Sequence, residues 1–91
     1  MTIVEAFTIV NNLDVDPALR GAAPLWSAIV IDRSGEILDV TRYRQPPFMR
    51  SYYDERSKHP GSLQIPAWPG RFGSAEDLAG EIQESVSLLD A

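Results

Sequence analysis

LWSAIVIDRSGEILDVTRYR, residues 25–44, is the stretch on which the fold turns. Two β-branched apolar runs, 26–31 and 37–40, flank Asp32-Arg33-Ser34-Gly35, whose residue types suit a type I turn with Gly35 in the left-handed conformation. The segment reads as a β-hairpin. With Asp32 opposite Glu36, the cross-strand partners are Ile31 with Ile37, Val30 with Leu38, Ile29 with Asp39, Ala28 with Val40 and Trp26 with Arg42. That register gathers Trp26, Ala28, Val30, Leu38 and Val40 on one almost wholly apolar face. Ser27, Ile29, Ile31, Ile37, Asp39, Thr41 and Tyr43 fall on the other. The first face is expected to lie on the core.

The cover for that face is predicted at the C-terminal end of the chain. Ser74 is placed as an N-cap, with Glu76 and Asp77 at the positive end of a helix dipole. Ala75, Leu78, Ala79, Ile82, Val86 and Leu89 recur at helical spacing, so a helix over 75–89 should lay this stripe on Trp26, Val30 and Leu38. At the other end, residues 2–10 (TIVEAFTIV) are rich in β-branched residues and apolar on both faces of a two-residue repeat, which predicts a central strand. Asn11-Asn12 should end it. Asp16-Pro17 followed by Gly21 has the N-cap, N1 proline and closing glycine of a one-turn helix.

Between the hairpin and the last helix the chain is irregular by composition. Gln45-Pro46-Pro47 stops the strand pairing, 48–58 (FMRSYYDERSK) could form two to three helical turns, and 62–65 suggests a short edge strand. Residues 66–73 (PAWPGRFG) have no regular pattern. The expected fold is therefore α+β, with a small antiparallel sheet of three or four strands, the central hairpin at 25–44, one C-terminal helix packed on it and a long irregular excursion over 45–73. All of it belongs to a single domain, residues 1–91.

Composition narrows the function classes. With 44% apolar and 23% charged residues the chain is an ordinary globular protein. The absence of cysteine removes disulfides and thiolate sites, and one histidine cannot anchor a transition metal of the usual kind, so no metal or other cofactor is expected. The first twelve residues lack the basic start of a signal peptide, and Glu5 interrupts their apolar run. A cytoplasmic location without membrane attachment is the expectation.

The net charge of −5 is unevenly spread. Residues 1–41 and 73–91 are acidic, whereas 42–72 hold six basic against two acidic side chains and six of the eight aromatics. Arg42, Arg44, Arg50, Tyr52, Tyr53, Arg56, Lys58, Trp68 and Arg71 therefore form the candidate binding set. Guanidinium groups and rings are the side chains most common at protein interface hot spots, and they also stack on bases and pair with phosphates. The same rings could instead pack beneath the loop as a satellite core.

Other constellations are weaker. Asp14 and Asp16 lack the following glycine and acidic residue of a calcium loop, and capping accounts for Asp16. Ser34-Gly35 lacks the lysine and glycine spacing of a phosphate loop, and Glu76 and Asp77 oppose an anion beside Arg71. His59, with Asp54 or Glu55, could supply an acid or base, but no second group converges at a defined spacing.

No catalytic residue is assigned. The expectation is a non-enzymatic interaction protein, such as an accessory subunit, an immunity-type protein or an inhibitor carried by phage or another mobile element against a host defence nuclease. Its partner would be another protein, docked through 42–72. A single-stranded nucleic acid or nucleotide binder is the alternative, and a homodimer is compatible with both.

Overall fold

The computed structural model describes residues 1–46, 59 and 61–89. Its architecture is α+β: a three-stranded antiparallel sheet in the order β2-β1-β3, closed on one face by two helices. The elements are α1 (Ile3–Val10), a 3-10 helix (Pro17–Ala22), β1 (Trp26–Ile31), β2 (Ile37–Tyr43), β3 (Leu63–Ala67) and α2 (Ala75–Leu89).

The predicted N-terminal strand is a helix. Thr2 caps it by accepting from Glu5 N at 3.1 Å, and Ile3, Ala6, Phe7 and Val10 fall on one helical face directed into the core. Its β-branched residues have poor intrinsic helix propensity, so tertiary burial and the caps hold the element. It ends in a Schellman arrangement: Leu13 N donates to Thr8 O at 2.9 Å and Asn12 N to Ile9 O at 3.0 Å. Asn12 takes the left-handed position, φ 56°, and its Nδ2 donates to Pro24 O at 3.0 Å. Asp16 then caps the 3-10 helix through Ala18 N, as expected from the sequence, but Gly21 does not close it: the helix runs through Ala22 and Ala23 is the C-cap.

The hairpin turn forms as read. Gly35 lies at φ 90°, Gly35 N donates to Asp32 O, and Asp32 N donates to Glu36 O. The register beyond it differs from the sequence expectation. Ile31 pairs with Ile37, but Val30 then pairs with Asp39, Ile29 with Val40, Ala28 with Thr41 and Trp26 with Tyr43. Leu38 is the extra residue of a β-bulge. One inserted residue reverses the facing of the rest of β2, so Val40 joins Ile29, Ile31 and Ile37.

The face beneath the helices is therefore not the predicted one. Ile29, Ile31, Ile37, Val40, Ile65 and Ala67 meet Ala6 and Val10 of α1 and Leu78 and Ile82 of α2, together with Phe72. Leu38 is 43% exposed. Ala28 and Val30, which alternate to the opposite face, are as fully buried as Ile29 and Ile31. β1, not the N-terminal segment, is the central strand, and its continuous apolar run reflects burial on both faces.

The predicted edge strand exists and runs two residues further, through Pro66. Proline is tolerated because β3 is an edge and because Pro66 O turns outward to accept from Arg71 Nη1. On the other edge Val40 N donates to Asp39 Oδ1 at 2.8 Å. Both edges thus carry local features that oppose the addition of a further strand. The helix suggested over 48–58 lies outside the described residues.

Candidate functional site

The strand register decides which candidate side chains meet. Trp26 pairs with Tyr43 and Ser27 with Ala67, so Leu25, Trp26, Tyr43, Arg44 and Trp68 collect at one end of the sheet. The Trp26 and Trp68 rings lie edge to face, with centroids 5.8 Å apart and planes at 66°.

Trp68 is fixed from a second side by Arg71. The guanidinium stands 5.2 Å from the Trp68 ring centroid and 4.8 Å from that of Phe72. It is itself held by Pro66 O and by Glu81 Oε1, the latter at 3.2 Å. Gly70 N donates to Asn11 Oδ1 at 2.9 Å, fastening the turn after β3 to the end of α1. Trp68 nevertheless remains 41% exposed. An indole packed on two sides yet partly in water suits docking, because such contacts leave less side-chain entropy to lose on binding.

At the same end of the sheet, Leu25 is 63% exposed and Arg44 is exposed as well. Leu25 and Arg44 line an open cleft of about 350 Å3 together with Gly21, Ala22, Ala23 and Pro24. Among the described residues Arg44 has no hydrogen-bond or ion-pair partner.

The other arginines of the candidate set have internal duties. Arg42 donates to Ile9 O at 3.2 Å and pairs with Asp14, tying β2 to the negative end of α1. Arg71 is enclosed by Trp68, Phe72 and Glu81. Arg50, Tyr52, Tyr53, Arg56 and Lys58, and with them Asp54 and Glu55, lie outside the described residues. Of the predicted set, the structure brings Arg44, Trp68 and Arg71 to one end of the sheet and turns Arg42 towards α1. Leu25 is the docking candidate that the sequence reading did not single out.

His59 stands at the opposite end. It lines a cleft of about 420 Å3 with Asp32, Arg33, Ser34, Leu38, Gly61 and Ser62. Its carbonyl accepts from both Ser62 N and Ser62 Oγ, at 3.1 and 2.6 Å. Asp32 Oδ1 accepts from Ser34 Oγ at 2.6 Å, Ser34 N at 2.9 Å and Glu36 N at 3.0 Å. The Ser34 hydroxyl, opposed by partial desolvation and supported by the turn amides, holds this carboxyl below its ordinary value. A carboxylate so committed to its own turn is a poor proton acceptor.

Among the described residues no helix is long and apolar enough to cross a membrane. Comparison with protein-family models, with curated proteins and with solved structures finds no significant match.

Proposed function

We propose that this is a non-enzymatic interaction protein, of the accessory-subunit or inhibitor kind, that docks on another protein through the sheet end carrying Leu25, Arg44 and Trp68. The observation that carries the reading is Trp68, packed against Trp26 and Arg71 yet 41% exposed. Rigid aromatic anchors beside an arginine are the usual energetic centres of protein interfaces. Docking by side chains at the sheet end also accords with edges that resist an added strand. Base stacking is less well served, because Arg71 already lies over the Trp68 ring and the chain is acidic overall.

The test begins with capture of partners from the native host lysate on immobilised protein. It continues with calorimetric titration of the partner identified. Trp68→Ala should weaken that complex at least about tenfold, an effect typical of a hot-spot ring. Partner affinity unchanged by Trp68→Ala places the docking surface elsewhere.

A further inference from the structure

We infer that the cleft lined by Leu25 and Arg44, at the sheet end that carries Trp68, selects a protein segment in which an apolar side chain is followed closely by a carboxylate. This inference rests on the docking reading above and adds the chemistry of the partner. The cleft formed by Gly21, Ala22, Ala23, Pro24 and Leu25 offers only small or apolar side chains as walls, and Arg44 is the charged residue that lines it. Its volume of about 350 Å3 lies near the lower end of the usual range for ligand clefts, about 300–1,000 Å3. That is room for one or two partner side chains.

Charge decides the rest. Arg20 donates to Asn12 O, Arg42 pairs with Asp14, and Arg71 pairs with Glu81. Arg44 has no such partner among the described residues, and no acidic residue lines its cleft. An apolar group seated against Leu25 would bring the following residue to Arg44, where a carboxylate accepts a charge-assisted bond that an amide makes more weakly. A nucleic acid would need several free cations along its backbone, and this cleft offers one.

Calorimetric titration reads binding, and tryptophan fluorescence reports on this end of the sheet, since Trp26 and Trp68 are the two tryptophans of the chain and both stand there, Trp26 next in sequence to Leu25. The probes are acetylated decapeptides with Leu or Phe followed two or three positions later by Glu, each matched by its Gln counterpart. Glu peptides should bind about tenfold tighter than Gln peptides, the usual scale for a hydrogen bond to a charged group. Arg44→Gln should erase that difference while leaving the melting temperature unchanged, because its side chain is exposed.

Equal binding of Glu and Gln peptides, failure of both to bind at millimolar concentration, or tighter binding of oligothymidine overturns the inference. So does self-association that Arg44→Gln abolishes, which assigns the cleft to a second copy of the chain. If the identified partner is lost with Trp68→Ala but retained in full with Arg44→Gln, the docking site stands and its acidic selectivity falls.

Discussion

Asp32 shows how much of the hairpin rests on one side chain. Its Oδ1 accepts from Ser34 N, Ser34 Oγ and Glu36 N, and the resulting preference for the ionised form lowers its pKa from 3.8. A carboxyl with a lowered folded value stabilises the fold fully above the unfolded pKa and loses that contribution as the pH falls through the folded one. Asp32→Asn keeps an acceptor but cannot titrate. The melting-temperature gap between the two proteins should therefore be widest near neutrality and shrink below pH 3.8; a gap undiminished in acid would show that the charge contributes nothing. Gly35, three residues on, is fixed by geometry instead. At φ 90° any side chain is strained, and an added Cβ would stand 3.2 Å from Val86 Cγ2. Gly35→Ala should cost about 1–3 kcal/mol in denaturant unfolding, the range for a residue held in a sparsely populated backbone region. Both residues were legible in the sequence, because turn chemistry is local and Asp-Arg-Ser-Gly states it within four positions.

At the scale of the element, legibility depends on whether the deciding interaction is local. The cap at Ser74, the start of α2 at Ala75 and the Asp16-capped 3-10 helix were all readable, since caps act over three or four residues. α1 differs from the expected strand although a helical signal is present in the sequence: Thr2-Ile3-Val4-Glu5 has the spacing of a capping box, and Ile3, Ala6, Phe7 and Val10 recur at helical intervals. The β-branched composition supported a strand, and only burial against β2 and α2 decides between the two periods. The bulge at Leu38 is the harder case. β1 is apolar on both faces, so nothing in its pattern marks which one the helices cover, and one extra residue in β2 sends Val40 to the face opposite the one predicted. Truncation exposes the difference. Leu78→Ala, at a fully buried position of α2, should cost about 2–5 kcal/mol, whereas Leu38→Ala should cost less than about 0.5 kcal/mol. A large loss at Leu38 would restore the unbulged register.

For the whole molecule the informative quantity is the distribution of charge, because the described cations of the basic middle segment, Arg42, Arg44 and Arg71, do not share one set of surroundings. Arg42 and Arg71 pair with Asp14 and Glu81, drawing two of the segment's six cations into the fold, while Arg44 stays exposed at the sheet end that carries Trp68. The candidate site was thus legible in residue type, since Trp68 and Arg44 were both singled out. Their separation from Arg42 was not, because it depends on the helical end of α1 reaching β2. Among the described residues, folding therefore commits two of the three cations of this segment to internal pairs and leaves Arg44 exposed. Salt dependence follows from that division. A single-stranded nucleic acid neutralised by all six cations would lose roughly a hundredfold or more in affinity between 50 and 200 mM salt. A protein partner held by Trp68 and Leu25, with Arg44 as one exposed cation, should lose less than about tenfold over the same range, mostly through a slower association rate as screening removes long-range attraction. Surface-immobilised kinetics at the two salt concentrations separate these cases: a near-constant dissociation rate with a modest fall in association supports docking through the sheet end, and a steep fall in affinity assigns the basic segment to phosphates.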